Sequence, residues 1–240
     1  MKKIITILIV FLIVSCKSSN TSNTTDKVLV FTKTSGFRHT SIETGVETIK
    51  ELGKTNHFEV TQTEDASLFT PENLKQYKLV LFLNTTGDVL NTNEEQSFEN
   101  FIKNGGSFMG VHAASDTEYD WSWFGKLVGA YFINHPKPAI ATIDRVNSKH
   151  PSTKHLSKKW SRFDEWYNFK SLNKDIKVLL TLDESSYEGG GNGEFHPIAW
   201  YHEFDGGRSF YTGLGHTNES YAEPEFRQHL LGGILYCLKR

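Results

Sequence analysis

Short apolar runs alternate with amphipathic segments along the first half of the chain. The run at residues 27–33, KVLVFTK, is apolar and rich in β-branched residues, which is typical of a strand buried on both faces of a parallel sheet. In the next segment, TSIETGVETIKELG, apolar residues recur at helical spacing at Ile42, Val46 and Ile49. Thr40 lies three residues before a glutamate and Gly53 suits a helix end, so the pattern predicts a helix between them.

The same alternation of strand and helix continues to residue 112. The predicted strands are HFEVTQTED, KLVLFLN and SFMGVH. Between them, TPENLKQY predicts a short helix capped by Thr70 with Pro71 in its first turn. TNEEQSFENFIKNGG predicts a longer helix, with Thr92 and Glu95 in capping-box spacing. Strands that alternate with helices at short intervals predict βαβ units and a mostly parallel, doubly wound α/β sheet.

The pattern is less regular past residue 115. DTEYDWSWFGKLVG predicts a loop and a short helix, and PEFRQHLLGGILYCLK predicts a closing amphipathic helix. The segments that predict strands are PAIATIDRV, KVLLTL, HPIAWYHEF and RSFYTGLG. The last two are joined by Asp205-Gly206-Gly207, a hairpin signal, so we expect an antiparallel edge. No internal repeat or second boundary divides residues 27–240, which we interpret as one domain.

The amino terminus has the features of an export signal. Residues 1–15 carry two lysines and an apolar core too short for a membrane span. The ending Ile13-Val14-Ser15-Cys16 resembles a bacterial lipobox, which predicts a lipid-modified Cys16 followed by a polar tether to residue 26. The chain would then be anchored at the bacterial cell envelope, on its periplasmic or outer side, without spanning the membrane. The alternative is an ordinary cleavable signal with a chance cysteine.

Charge and cysteine content limit the binding partners and the disulfides that can be expected. The chain has 26 basic and 28 acidic residues, and removal of the two signal lysines leaves a net charge of −4 with no basic cluster. Nucleic acid is therefore not an expected partner. With Cys16 assigned to lipid, only Cys237 remains, so no intramolecular disulfide is expected. Aromatic residues make up 13% of the chain, and many lie in Gly- and His-rich loops, as in sugar-binding clefts and in loop cores.

Several histidines follow predicted strands. In an open parallel sheet, the ligand crevice lies outside the carboxyl ends of the strands. His39 follows the first strand, His112 the fourth and His216 the last. With His135 they are candidates for one site, because imidazole exchanges protons near neutrality and is a common metal ligand. The alternative for each single histidine is a hydrogen-bonded structural role.

The spacing of histidine and cysteine forms no metal signature. H-E-x-x-H, C-x-x-C and H-x-H are all absent from the sequence. A zinc or similar divalent metal site assembled from separate loops stays open as an alternative. The candidate ligands for such a site are His39, His112, His135 and His216, with a carboxylate such as Asp116 or Glu165.

The segment FDEWYNF, residues 163–169, places Asp164 and Glu165 beside Trp166 and Tyr167. A carboxylate near an aromatic face can act as an acid or base, and the aromatic ring can stack on a sugar. An edge strand with its acidic side chains in water explains the segment equally well.

Five sequence blocks together resemble the ThuA-like (trehalose utilisation) family over nearly the whole domain. They are VLVFTKTSGFRHTSI, FMGVHAASDTEYDWSWFGKLVGAYFINHP, DEWYNF, HPIAWYHEFDGGRSFYTGLGH and HLLGGILY. The resemblance implies a class I glutamine amidotransferase-like fold, which is a flavodoxin-like sheet with flanking helices. In true amidotransferases the turn after the fourth strand reads G-x-C-x-G and carries a thiolate nucleophile, whereas this chain has Gly110-Val111-His112-Ala113-Ala114. Glutaminase chemistry is therefore not expected.

The resemblance further implies a role in carbohydrate metabolism, linked to disaccharides oxidised to 3-keto sugars. Proton abstraction beside a ketone needs a base and a group that stabilises the enolate. His112, Glu165 and Asp116 are the candidates for acid and base. The candidates for orienting groups or for substrate contacts are His39, His135, His216, Trp121, Trp166 and Trp200. The alternative is a non-catalytic carbohydrate-binding or scaffolding lipoprotein, and the oligomeric state stays open.

Overall fold

A computed structural model describes residues 25–240 of the chain. The predicted signal peptide, the predicted lipid site at Cys16 and nearly all of the predicted tether lie outside the described residues. Within residues 25–240, no helix combines the length and the apolar composition needed to cross a bilayer.

The described chain alternates strands and helices in its first half and is dominated by strands in its second half. The strands are β1 Asp26–Phe31, β2 Phe58–Thr63, β3 Leu79–Leu83, β4 Ser107–Val111, β5 Tyr131–Asn134, β6 Ala139–Arg145, β7 Lys159–Asp164, β8 Asn168–Lys170, β9 Lys177–Asp183, β10 Pro197–Phe204 and β11 Gly207–Thr212. The α-helices are α1 Ile42–Asn56, α2 Pro71–Leu74, α3 Thr92–Lys103, α4 Ser122–Val128 and α5 Pro224–Cys237.

Nine strands form one sheet in the order β2-β1-β3-β4-β11-β10-β9-β6-β7. The pairs from β2 to β11 are parallel, and the pairs from β11 to β7 are antiparallel. Because antiparallel neighbours alternate in direction, β9 and β7 point the same way as the five parallel strands. The predicted α/β fold with a large, mostly parallel sheet and an antiparallel edge is confirmed. The predicted hairpin between β10 and β11 is present.

Helices cover both faces of the parallel part of the sheet, as a doubly wound fold requires. Every residue of β3 and β4 is buried. Phe108 of β4 packs against Phe98 of α3 and Phe124 of α4. Phe210 of β11 lies one position out of phase with Phe108 and packs against His229 of α5. The strands are therefore apolar on both faces, which explains their continuous apolar runs.

Two predicted helix ends are wrong by small shifts. Helix α1 begins at Ile42 after Ser41, so Thr40 does not cap it, and it continues to Asn56. Gly53 lies inside the helix, where a Cβ atom would come within 2.7 Å of a β2 carbonyl oxygen, so close packing explains the glycine. In α3 the capping box is formed by Asn91 and Glu94, one residue before the predicted pair. The predicted Thr70 cap and Pro71 at the start of α2 are both present.

The apolar pattern did not predict β7 because two of its three buried side chains, Arg162 and Asp164, are charged. Trp160, Arg162 and Asp164 point inward, whereas Phe163 is 51% exposed. β7 is the edge strand that FDEWYNF offered as one alternative, but Asp164 and Glu165 are buried and do not lie in water. The short pair β5 and β8 was also not predicted.

Glu118 ties two loops together at the carboxyl edge of the parallel strands. Its side chain is 2% exposed, and its Oε1 accepts hydrogen bonds from the backbone N–H groups of Val89 and Leu90 at 2.9 and 2.8 Å. Burial is the largest influence on this carboxyl group and raises its pKa to about 7, although the two N–H groups act in the opposite direction and Asp88 adds to the rise. The ionised form is therefore poorly accommodated in the folded chain.

We expect Glu118→Gln to remove a pH-dependent loss of stability. The pKa of Glu118 in the folded chain lies above the ordinary value of 4.5, so the folded state holds its proton while the unfolded state ionises. This loss begins as the pH rises through about 4.5 and is complete above about 7, which amounts to roughly 3 kcal/mol. Glutamine retains an oxygen for both N–H donors and has no charge. Chemical denaturation of the full chain at pH 4 and pH 8 should show that the wild type loses more stability than the variant.

Glu188→Gln is the matched control, because Glu188 is exposed in the described structure. Its pH dependence should follow that of the wild type. Parallel stability curves for wild type and Glu118→Gln would contradict the account.

Candidate functional site

His112 lies at a sharp turn directly after β4. Its backbone φ of 48° is in the left-handed region, which non-glycine residues seldom adopt, and a 3₁₀ turn runs from His112 to Asp116. The imidazole is fully buried, and its Nδ1 lies 2.9 Å from the carbonyl oxygen of Gly213. A carbonyl oxygen only accepts, so Nδ1 carries a proton that it donates there. In the neutral ring Nε2 then has a free lone pair.

Four loops bring their side chains to this turn. His39 follows β1, His112 follows β4, Glu165 follows β7 and His216 lies four residues after β11. All four strands point the same way, so their carboxyl ends meet at one edge of the sheet. The ligand-capable atoms of these four residues lie within 4.8 Å of one another.

The antiparallel part of the sheet must bend to bring Glu165 to this edge. β7 is four strand spacings from β11, which would be about 19 Å in a flat sheet. Instead, the Asp164 carboxylate accepts hydrogen bonds from the backbone N–H groups of Gly215 and His216 at 2.9 and 3.1 Å. Asp164 is itself buried beside Arg162, with 3.0 Å between Oδ2 and Nη1. These contacts hold the end of β7 against the loop after β11.

Three ligand-capable side-chain atoms at the centre of the site lie at nearly equal distances from one another. Glu165 Oε2 lies 3.2 Å from His216 Nδ1 and 3.4 Å from His112 Nε2, and the two imidazole nitrogens are 3.3 Å apart. The ring of His39 packs edge-on against those of His112 and His216, at centroid distances of 5.0 and 5.1 Å. His39, His112 and Glu165 are buried, whereas the side chain of His216 is 24% exposed.

The second oxygen of Glu165 faces His135. Glu165 Oε1 lies 3.0 Å from His135 Nδ1, which is also 2.9 Å from the carbonyl oxygen of Pro136. Both neighbours are acceptors, so Nδ1 carries the proton, and Nε2 is the free nitrogen of the neutral ring. The side chain of His135 is 40% exposed. It is thus the predicted histidine most open to solvent in this group.

The electrostatics favour a carboxylate at the centre. Burial by itself would raise the pKa of Glu165, but the neighbouring His112 and His216 outweigh burial and hold this pKa below its usual value. Burial lowers the pKa of His216, yet Glu165 outweighs it and the net change is a raised pKa. Burial, with smaller effects from His112 and His216, lowers the pKa of His39 to about 3. His39 is therefore neutral at physiological pH.

The candidate Asp116 borders the central group without joining it. It ends the 3₁₀ turn, and its Oδ1 accepts a 2.7 Å hydrogen bond from the Tyr119 hydroxyl. Burial raises the pKa of Asp116 despite this bond.

Two of the three tryptophans predicted as a sugar platform are not available for stacking. Trp166 and Trp200 are fully buried, and their indole N–H groups donate to the carbonyl oxygens of Ala139 and Val128. Trp121 is partly buried and stacks on Trp123 at a centroid distance of 5.1 Å. The platform prediction is wrong for Trp166 and Trp200, because these two indoles find their polar partners and their apolar contacts inside the fold. For Trp121 it stays a prediction.

Sequence reasoning missed two residues that shape the site. Tyr167 packs against the ring of His112 at a centroid distance of 4.2 Å. Phe37 is 66% exposed, and its ring lies 4.9 Å from that of His39. Phe37 follows the first strand in the loop TSGFRH, so its position at a strand end was the available signal.

The sheet order defines a doubly wound α/β protein with a mostly parallel sheet and an antiparallel edge, and the turn after β4 carries the central histidine of the site. The chain belongs to the ThuA family, described as Trehalose utilisation, whose model matches residues 27–237. A search of curated proteins finds no significant match.

Solved structures agree with this fold. A thua-like protein from Bacteroides uniformis is 24% identical, with a TM-score of 0.76 over 90% of this chain and 92% of that one. A thua-like protein from Parabacteroides merdae is 20% identical, with a TM-score of 0.75 over 90% and 91%. A gmp synthase subunit a protein from Thermoplasma acidophilum is 10% identical, with a TM-score of 0.55 over 90% and 96%. At these identities the likeness establishes the fold alone.

We expect Asp164→Asn to destabilise the chain strongly. The change removes one of the two carboxylates that pair with the buried Arg162 guanidinium and leaves Glu223 as the other, so the loss should be below the roughly 3–5 kcal/mol of an unpaired buried charge and above about 1.5 kcal/mol. Urea denaturation of the full chain measures the free energy of unfolding. Asp144→Asn is the matched control, because Asp144 pairs with Lys159 at an exposed position on β6. That change should cost less than about 1 kcal/mol. Equal losses in both variants would be inconsistent with a structural role for the Asp164 pair.

Proposed function

We propose that this chain is an envelope-anchored enzyme of carbohydrate metabolism that acts on a disaccharide or 3-keto-glycoside by acid/base chemistry, without amidotransferase activity. The observation that carries the proposal is the histidine and glutamate group at the position of an amidotransferase nucleophile. Family membership supports a carbohydrate substrate, and the imidazole at residue 112 cannot form the thioester of glutaminase chemistry.

His135 is the best-placed general base. Glu165 and the carbonyl of Pro136 hold the proton on Nδ1, which leaves Nε2 as the basic nitrogen of a partly exposed ring. This is the arrangement of a histidine oriented by a carboxylate, as in hydrolase triads. His112 and Glu165 are buried, so we assign them to positioning and charge stabilisation and assign proton transfer to His135.

The reaction that suits this base is removal of a proton from the carbon beside a sugar ketone. The C–H bond breaks, its electron pair forms the enolate, and the proton moves to His135 Nε2. The enolate oxygen then needs a positive or hydrogen-bonding group close by. His216 is the partly exposed member of the central group and can supply that contact.

Phe37 replaces the buried Trp166 and Trp200 as the candidate sugar platform. Its exposed ring lies against His39, so one face of a sugar could stack on it at the rim of the site. The aromatic contact would position the sugar and leave its ketone toward the histidines.

We expect His135→Asn to abolish most of the activity. Asparagine retains an N–H donor for Glu165 and has no basic nitrogen, so proton abstraction should slow about 10²–10⁴-fold. Proton NMR of a 3-keto-disaccharide in D₂O measures the exchange of the hydrogen beside the ketone and does not depend on the final product. His57→Asn is the control, because His57 is exposed at the end of α1 in a left-handed conformation that asparagine tolerates.

Two results would argue against the proposal in different ways. Unchanged exchange in His135→Asn would reject His135 as the base. Absence of exchange in the wild type, together with calorimetric binding of neutral or oxidised disaccharides, would favour the non-catalytic binding lipoprotein.

The lipobox supports anchoring through Cys16. We expect the protein produced with its full signal in a bacterial host to be cleaved before Cys16 and to carry added acyl mass on its new amino terminus. Mass spectrometry of the amino-terminal peptide tests this, and Cys16→Ser should lack the acyl mass. An unmodified Cys16 in the wild type would contradict the anchor.

A further inference from the structure

We propose that His112, Glu165, His216 and His39 form a binding site for one zinc-like divalent transition-metal ion. The proposal goes beyond acid/base chemistry, and the binding of the ion does not depend on the identity of the sugar.

The first argument is the geometry of the three central donors. The separations among His112 Nε2, His216 Nδ1 and Glu165 Oε2 are 3.3, 3.2 and 3.4 Å. Around a tetrahedral ion with bonds of about 2.0–2.1 Å, two ligand atoms lie roughly 3.3–3.4 Å apart. Around an octahedral ion with bonds of about 2.1 Å, adjacent ligands lie roughly 3.0 Å apart. The triangle therefore has the dimensions of one face of a tetrahedral site.

The second argument is that lone pairs face one another at the centre of the site. His112 donates its Nδ1 proton to the carbonyl of Gly213, so its Nε2 presents a lone pair, and the Glu165 carboxylate also presents lone pairs. His216 Nδ1 lies within 3.3 Å of both atoms, so three ligand-capable atoms face one another at the centre of the site. His112 and Glu165 are buried, so lone pairs that face each other are costly unless a positive charge lies between them. A proton can supply that charge to one pair of these atoms, whereas a metal ion supplies it to all three at once.

The third argument is His39. Its side chain is 3% exposed, and its Nδ1 has no hydrogen-bond partner among the described residues. A buried imidazole nitrogen without a partner is unusual, because polar atoms in protein interiors are nearly always satisfied. Its ring lies against both His112 and His216, and one of its nitrogens lies within 4.8 Å of the other three ligand atoms, so His39 can supply the fourth ligand.

The surrounding groups orient the ligands as they do in known metal sites. Metal-bound histidines usually donate their other N–H to a carbonyl or carboxylate, which fixes the ring and its tautomer. Gly213 does this for His112, and His135 hydrogen-bonds the free oxygen of Glu165. Three imidazoles and one carboxylate suit Zn²⁺ or a similar transition ion and do not suit Mg²⁺ or Ca²⁺, which prefer oxygen ligands.

An ion at this position would lie next to the proposed base, with Glu165 between them. If the proposed function holds, the ion could polarise the sugar ketone while His135 removes the neighbouring proton. This last step rests on the proposed function, whereas the site itself does not.

Metal binding can be measured on the full chain in detergent without any substrate. The chain is treated with a chelator, freed of it, and titrated with zinc chloride by calorimetry. We expect one ion per chain and a higher melting temperature with zinc, since an ion that binds only the folded state stabilises it. Cobalt chloride should give the intense visible absorption of tetrahedral Co²⁺. No binding by the wild type, or weak octahedral-type cobalt spectra, would overturn the site.

Variants assign the ligands. His216→Ala changes a partly exposed residue and should weaken zinc affinity at least 100-fold with the fold retained by circular dichroism, and Glu165→Gln should do the same. His57→Asn should bind zinc like the wild type. Wild-type affinity in both ligand variants would show that zinc binds elsewhere and would reject the proposal.

The two proposals can fail separately. Zinc binding with no hydrogen exchange in any keto-disaccharide would leave the metal site and reject the enzymatic function. Hydrogen exchange beside the ketone that persists at full rate in metal-free protein would retain the enzymatic function. It would reject a catalytic role for the ion.

Discussion

The buried pair of Arg162 and Asp164 is the interaction on which the site depends. Their side chains are 3% and 0% exposed, at the edge strand of the sheet. Arg162 also contacts Ser220 and Glu223, which both lie in the segment directly before α5. Charges this deeply buried need several partners, and the guanidinium has them. The pair therefore fastens the bent antiparallel part of the sheet to the rest of the domain.

Asp164 also fixes the position of residues in the candidate site. The same carboxylate that pairs with Arg162 accepts the backbone N–H groups of Gly215 and His216. The next residue along the chain is Glu165, which reaches the rings of His112 and His216. One buried ion pair thus positions the carboxylate of the site and one of its imidazoles. The strained backbone of His112, which costs about 1–2 kcal/mol, fixes another.

The sequence was informative where local patterns decide the structure. Strands β1, β3 and β4 are apolar throughout because both faces are covered, so their runs identify them, and His112 could be placed at a strand end. β7 could not be found in this way, because Arg162 and Asp164 face inward and Phe163 faces solvent. The contact of Glu165 with the histidines depends on the bend of the sheet, which no local pattern encodes. The burial of Trp166 and Trp200 depends on carbonyl groups distant in sequence, for the same reason.

Glu165 links the two halves of the proposed chemistry. Its Oε1 faces the partly exposed His135, and its Oε2 faces the buried pair of His112 and His216. A single carboxylate therefore orients the proposed base and supplies negative charge to the proposed metal site. Residues that share a partner do not contribute independently, so changes at His135 and at His112 should interact through Glu165. The turn after β4 thus contributes His112 to the buried side of this link, and His135 forms its exposed side.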